Sequence, residues 1–65
     1  MRIMRLQEVM STTGLARSTI YKFVANNAFP KPVSLGGRSA GWVAEEVNDW
    51  VLARIEERDA GVGLA

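Results

Sequence analysis

The chain contains neither cysteine nor histidine, and this absence most constrains how its 65 residues can fold. A domain this small buries a smaller share of its surface than a larger one, and many such domains depend on disulfides or a bound metal. Without these residues no disulfide can form and no structural zinc site is expected. Stability must therefore come from an apolar core, whose largest predicted members are Phe23, Phe29, Trp42 and Trp50.

The same absence limits the chemistry that the chain can perform. Histidine is the commonest general base at neutral pH, and cysteine is the best side-chain nucleophile. Glu45, Glu46 and Asp49 lie close together, but their pattern is that of a solvated first turn of a helix. We therefore expect no enzymatic activity, no cofactor, no metal and no small-molecule ligand.

No apolar stretch is long enough to cross a membrane, and the first residues lack the pattern of a signal peptide. The expected location is therefore the cytoplasm, and no membrane partner is expected.

Two short helices are predicted in the first half of the chain. Apolar residues three and four positions apart indicate a helix over residues 6–13 and another over residues 17–26. Gly14 can adopt the left-handed conformation that ends the first helix, so a tight turn should join the two. Phe29 precedes a proline and is disfavoured in a helix, which closes the second segment. The apolar positions of the two helices are Leu6, Val9, Met10, Ile20, Phe23 and Val24.

A β-hairpin is predicted over residues 31–43, where the helical spacing disappears. Val33 and Leu35 lie two positions apart, as in a strand, and Trp42 belongs to a returning strand. Gly36-Gly37 supplies the positive φ angles that a tight hairpin turn needs, and this places Arg38 beside the tip.

A third helix is predicted over residues 45–58, with Glu45 and Glu46 in its first turn and Arg58 in its last, as the helix dipole favours. Its apolar face contains Val43, Val47, Trp50, Val51 and Ile55. Residues 59–65 carry two glycines and no cap, and they indicate a flexible tail after a domain spanning residues 1–58.

This order of elements predicts a mainly α protein with a small β-hairpin, a winged helix-turn-helix of three helices plus a wing. In that fold the second helix enters the major groove of DNA and the first crosses the backbone. The charge distribution agrees with this assignment. Residues 1–43 contain six basic residues and one acidic residue, whereas residues 44–65 contain two basic and six acidic residues. The net charge of +1 therefore conceals a basic part suited to phosphate and an acidic part.

Seven residues are candidates for DNA contacts. On the second helix, Arg17 suits phosphate or guanine, Lys22 suits phosphate, and the hydroxyls near the helix start suit bases or phosphate. Arg38 on the wing suits a narrow minor groove. The alternatives are helix capping by the hydroxyls, solvated surface charges and, for the tyrosine, a place in the core. The candidates are Arg17, Ser18, Thr19, Tyr21 and Lys22 on the second helix, with Lys31 and Arg38 on the wing.

The chain closely resembles the AlpA family, small phage- and prophage-type transcriptional regulators with a MerR- or excisionase-like winged helix. The resemblance runs from about Arg5 to Ile55. It implies a DNA-binding regulator of mobile-element genes, often an activator of an integrase gene. By this resemblance the wing contact is Arg38, and the recognition helix carries Arg17, Ser18, Thr19, Tyr21 and Lys22. Ala16 departs from the usual serine of the family, which would be a natural N-cap. The matching segments are Arg5-Leu6-Gln7-Glu8-Val9, Thr13-Gly14-Leu15-Ala16-Arg17-Ser18-Thr19-Ile20-Tyr21, Phe29-Pro30-Lys31-Pro32-Val33, Leu35-Gly36-Gly37-Arg38, Gly41-Trp42, Glu46-Val47 and Trp50.

The leading hypothesis is a sequence-specific regulator of transcription whose partner is double-stranded DNA. A second hypothesis within the same fold is an architectural excision factor that bends DNA for an integrase. A third, from another class, is a small protein-interaction adaptor that uses the wing and the acidic helix. Further candidate partners are a second copy of the chain on DNA, an integrase and RNA polymerase.

Overall fold

A computed structural model describes residues 1–61 of the chain, and within them the predicted mainly α fold with a small hairpin is confirmed. The helices pack on a short antiparallel sheet with the strand order β1-β3-β2. The elements in chain order are β1 (Ile3–Met4), α1 (Leu6–Thr13), α2 (Arg17–Ala25), β2 (Val33–Ser34), β3 (Ala40–Val43) and α3 (Ala44–Ala60).

The turn between α1 and α2 is built from local interactions. Gly14 has a φ of 74°, in the left-handed region, and its N–H donates to the Met10 carbonyl over 2.8 Å. The Thr13 hydroxyl donates to the Val9 carbonyl at 2.8 Å and accepts the Leu15 N–H at 3.2 Å. These bonds satisfy groups that the end of α1 would otherwise leave open, so the turn is tight and defined.

Helix α2 begins after Ala16, which is extended and provides no side-chain cap. The helix ends at Ala25, one residue before the predicted end, and Asn27 then takes a positive φ of 58°. Ile20 is fully buried on the inner side of α2, and Phe23 and Val24 are half-buried against the core. The opposite side of the helix is therefore left to solvent.

Strand β1 is absent from the sequence-based prediction, because two residues carry no measurable alternation. It pairs with β3, with Ile3 opposite Val43 and Met4 opposite Trp42. The Ala44 N–H continues the ladder by donating to the Arg2 carbonyl at 2.8 Å. The central strand of the sheet is thus β3, which lies between the chain start and the wing.

The wing is formed by β2 and β3 as predicted, with Val33 opposite Gly41 and Ser34 opposite Ala40. Its turn closes by a bond of 2.8 Å from the Leu35 N–H to the Ser39 carbonyl. Gly41 is buried where β1 approaches β3, and a Cβ there would clash with Ile3 Cγ2. Only glycine lets β1 and β3 approach this closely.

Both tryptophans hydrogen-bond to the segment that connects α2 and β2. The buried Trp42 indole donates to the Pro30 carbonyl at 2.8 Å, and the half-buried Trp50 indole donates to the Ala28 carbonyl at 2.7 Å. Each indole N–H therefore has a hydrogen-bond acceptor, as tryptophans packed into a core usually do. The fully packed core consists of Met4, Val9, Ile20, Phe29, Trp42, Ala44 and Val47.

Helix α3 runs to Ala60, two residues beyond the predicted Arg58, so the flexible tail expected from residue 59 begins as helix. Residues 62–65 of that tail lie outside the described residues. Ile55, predicted on the apolar face, is 40% exposed, because the part of α3 that packs into the core lies near its start, at Ala44 and Val47. In residues 1–61, no helix combines the length and apolar character that a membrane crossing needs.

Candidate nucleic-acid interface

The structure leaves most of the predicted contact residues accessible. Tyr21 is 44% exposed and Thr19 is half-buried. Ala16, rather than Ser18 or Thr19, occupies the N-cap position of α2, so those two hydroxyls do not cap the helix. The remaining candidates, all exposed, are Arg17, Ser18, Lys22, Lys31 and Arg38.

The sequence left two roles open for Tyr21, a contact with DNA and a place in the core, and its position in the structure is compatible with both. Its ring packs at a tilt of 56° against the ring of buried Trp42, with 6.2 Å between the centroids. The remainder of the side chain faces solvent. The core thus fixes the direction of Tyr21, while its outer part stays available to a partner.

A cleft of about 290 Å³ joins α1, α2 and the wing. Tyr21 and Arg38, from two separate predicted contact groups, both line it. The other predicted contacts do not line this cleft; Lys31 lies apart from it, in the segment leading into the wing. The lining residues are Arg5, Leu6, Gln7, Tyr21, Arg38, Ala40 and Trp42.

Arg5 and Gln7 line the cleft but are not among the seven predicted contact residues. Arg5 is the N-cap of α1, with extended backbone, and its carbonyl accepts the N–H groups of Glu8 at 2.9 Å and Val9 at 3.0 Å. The sequence signal that could have identified Arg5 is its position as a basic residue just before the predicted first helix. Its significance depends on β1, whose pairing with β3 brings the start of α1 beside the wing.

Ion pairing divides the basic residues into two groups. Pairing with a carboxylate offsets the field that a cation presents to a partner, even where an exposed pair adds little stability. Three arginines are paired in this way: Arg2 with Glu8, Arg54 with Glu57 at 2.5 Å, and Arg58 with Asp59 at 2.9 Å.

The five other cationic side chains have no acidic partner among residues 1–61. All of them belong to the part of the chain before α3, and all are exposed. Arg2 neutralises the single acid of that part, Glu8, so the local positive charge remains uncompensated. The unpaired side chains are Arg5, Arg17, Lys22, Lys31 and Arg38.

Comparison with known proteins identifies the family. A family model described as "Prophage CP4-57 regulatory protein (AlpA)" matches residues 2–55, from the start of the sheet through most of α3. The chain belongs to the AlpA family. The resemblance inferred from the sequence is therefore confirmed, and the three helices with a small antiparallel sheet are consistent with the winged helix-turn-helix of an AlpA-family protein.

Two relatives of this AlpA-family chain cover most of its length. An uncharacterized protein, ORF88, of Enterobacteria phage P4 is 45% identical over 60 residues, which cover 92% of this chain and 68% of that protein. The DNA-binding transcriptional activator AlpA of Escherichia coli (strain K12) is 39% identical over 59 residues, which cover 82% of this chain and 84% of that protein. At these coverages both comparisons include α2 and the wing.

Proposed function

We propose that this AlpA-family chain is a sequence-specific, duplex-DNA-binding regulator of transcription that acts on phage- or prophage-type genes in the cytoplasm. The observation that carries the proposal is the partition of charge: five unpaired cations before α3, and paired arginines within it. A surface of uncompensated positive charge attracts the phosphate backbone and supplies much of the affinity for DNA. The similarity to an E. coli protein named as a DNA-binding transcriptional activator supports the same assignment.

In the proposed complex, α2 lies in the major groove. Arg17 and Ser18 are at its start, where a recognition helix comes nearest to base edges. Arg17 binds guanine or a phosphate in a bidentate manner, and Ser18 and Thr19 contact bases or phosphate. Lys22 lies one turn further along and neutralises a phosphate, and the exposed part of Tyr21 packs beside the backbone.

The wing approaches the adjacent minor groove. Arg38 follows the Gly36-Gly37 turn and has no acidic partner in the described part of the chain, so its charge is free for the strongly negative potential of a narrow minor groove. Lys31, before β2, neutralises a phosphate at the entry to the wing.

Helix α3 faces away from DNA in this arrangement. Its first turn exposes Glu45 and Glu46, and Asp49 follows one turn later. Carboxylates held against phosphates would be repelled, whereas on the far side of the core they leave binding unimpeded. The role of α3 is to complete the core through Ala44 and Val47.

The test begins with selection of bound duplexes from a random pool, followed by affinity measurements on the selected site over a range of salt concentrations. If each of the five unpaired cations displaces a counterion, at a phosphate or in a groove, log K against log salt has a slope near −4.5, about −0.9 for each contact. Replacing Arg17 or Lys22 with Gln should make that slope shallower by about 0.9 when the lost contact is to a phosphate.

The matched control is Arg58→Gln, which removes a cation that is already paired and lies in α3. It should leave the slope nearly unchanged. Absence of any bound duplex, or a flat salt dependence, would refute the proposal and favour the protein-interaction adaptor. A bending assay on the selected site separates the two DNA-binding hypotheses, because a strong bend at clustered sites would indicate an architectural excision factor.

A further inference from the structure

We infer that the cleft between α1, α2 and the wing is a binding site for one sugar-phosphate unit of the DNA backbone, with Arg5 as the residue that holds the phosphate. This inference rests on the proposed function and extends it to residues of the first helix. The lining contains two unpaired arginines, a tyrosine and a glutamine beside the apolar Leu6, Ala40 and Trp42, and it contains no acidic residue.

Two other clefts in the described part of the chain differ in charge. A cleft of about 590 Å³ beside Trp50 includes Glu46 and Asp49, whose carboxylates would repel an anion. A cleft of about 320 Å³ between the end of α1 and α3 includes Arg54 and Arg58, both paired with carboxylates. Of the three, the cleft at Arg5 alone offers uncompensated positive charge.

The apolar part of the lining suits a deoxyribose ring. Leu6 is half-buried and packs on the core, Trp42 is 1% exposed, and Tyr21 leans against Trp42 at its edge. An apolar wall of this kind lowers the local dielectric, so a charge at the rim interacts more strongly with phosphate than it would in open water. In the inferred complex the sugar therefore lies against the apolar part of the lining, and the phosphate lies beside the arginines.

Arg5 is held in place by its backbone on both sides. Its carbonyl accepts two N–H groups of the first turn of α1, and the preceding residue, Met4, is paired with Trp42 in the sheet. The side chain itself is exposed and makes no ion pair within residues 1–61. A group whose attachment is already ordered loses less entropy on binding, which favours a defined phosphate contact.

Arg38 lines the same cleft as Arg5, so the groove that Arg38 enters indicates which phosphate Arg5 holds. Arg38 comes from the turn of the wing, and Arg5 is the residue before α1. With Arg38 directed into the minor groove, the phosphate held by Arg5 is one that borders that groove. The Tyr21 hydroxyl and the Gln7 amide supply neutral hydrogen bonds to the same unit.

The test compares Arg5→Gln with Arg2→Gln on the selected duplex. Arg2 is the matched control, because it lies three residues away and is also exposed, but it is paired with Glu8. Arg5→Gln should weaken binding to the selected site and to unrelated duplexes by the same factor, and it should make the salt slope shallower by about 0.9. Arg5→Lys, which keeps the charge, should restore most of that slope. Arg2→Gln removes no phosphate contact, so it should leave the salt slope unchanged.

A neutral methylphosphonate placed at each backbone position in turn locates the contact. A methylphosphonate at one particular position should lower the affinity of the wild-type chain. The same substitution should not lower the affinity of Arg5→Gln further. Equal slopes for Arg5→Gln and Arg2→Gln on a duplex that the wild type binds with a steep slope would overturn the inference and leave the proposed function intact. If the wild type binds no duplex, both are refuted. The melting temperature of each variant, expected to match the wild type, separates lost contacts from lost folding.

Discussion

Replacement of Trp50 with Ala tests how much this one aromatic side chain adds to the packing of α3 through Ala44 and Val47. The half-buried Trp50 ring meets the Phe29 ring edge-on with 4.8 Å between centroids, and its indole donates to the Ala28 carbonyl at 2.7 Å. The Arg54 guanidinium lies 4.9 Å from the ring centroid. Alanine removes all of these contacts at once.

The size of the loss follows from this environment. A fully buried Trp→Ala substitution costs about 3–5 kcal/mol, and the partial exposure of Trp50 places it near the lower end, about 3 kcal/mol. About 1 kcal/mol of that is the hydrogen bond, and a similar amount is the edge contact with Phe29. Ala28 is exposed, so water replaces the lost donor and no buried acceptor is left unsatisfied.

A loss of this size is a large fraction of the stability of a 65-residue domain. For domains of this length each kcal/mol lowers the melting temperature by about 4–8 °C, so Trp50→Ala should lower it by about 12–24 °C. Circular dichroism during heating and urea titration measure the change. Trp50→Phe is the control: it keeps an aromatic ring but loses the N–H donor, and should cost only about 1 kcal/mol.

DNA affinity provides the result that would refute this reasoning. Under conditions where Trp50→Ala remains folded, it should bind the selected duplex as the wild type does, because Trp50 does not line the cleft at Arg5. A variant with an unchanged melting temperature and abolished DNA binding would show that Trp50 is a contact residue rather than a brace for α3.

Three further substitutions test other parts of the molecule. Ala16→Ser should stabilise the chain by about 1 kcal/mol in urea titration, since Ala16 is an N-cap with extended backbone and no side-chain acceptor; no gain would show that α2 starts elsewhere. Gly41→Ala should cost about 1–3 kcal/mol, because its Cβ would clash with Ile3 Cγ2 and lie 3.1 Å from the Met4 carbonyl oxygen; a neutral effect would show that β1 is not closely packed. Arg38→Ala should weaken binding chiefly at duplexes with a narrow, A·T-rich minor groove, and an equal loss at all duplexes would contradict the wing assignment.

Local patterns were enough to predict the helices and their connection. The predicted first helix, residues 6–13, has the bounds of α1, and Gly14 takes the left-handed conformation expected of it. Both depend on residues within one or two helical turns, through apolar spacing and the hydrogen bonds of a helix end. The charge partition between the two parts of the chain was likewise visible in the order of the residues.

The contacts between distant segments depended on tertiary structure. Strand β1 is defined by its pairing with β3, some forty residues away in the sequence, and this pairing brings Arg5 beside the wing. Ile55 continues the apolar spacing of α3 but is 40% exposed. Helical spacing shows which residues share a face of the helix, but it does not show where along the helix the core ends.

The amino-acid sequence therefore determines which segments become helix and hairpin, and where positive charge is concentrated, since these properties arise from neighbouring residues. The fold decides in part which cations pair with a carboxylate. Arg2 is paired with Glu8, whereas Arg5 lines a cleft and has no acidic partner in the described part of the chain. That cleft brings together side chains from α1, α2 and the wing, and only packing around Trp42 places them side by side.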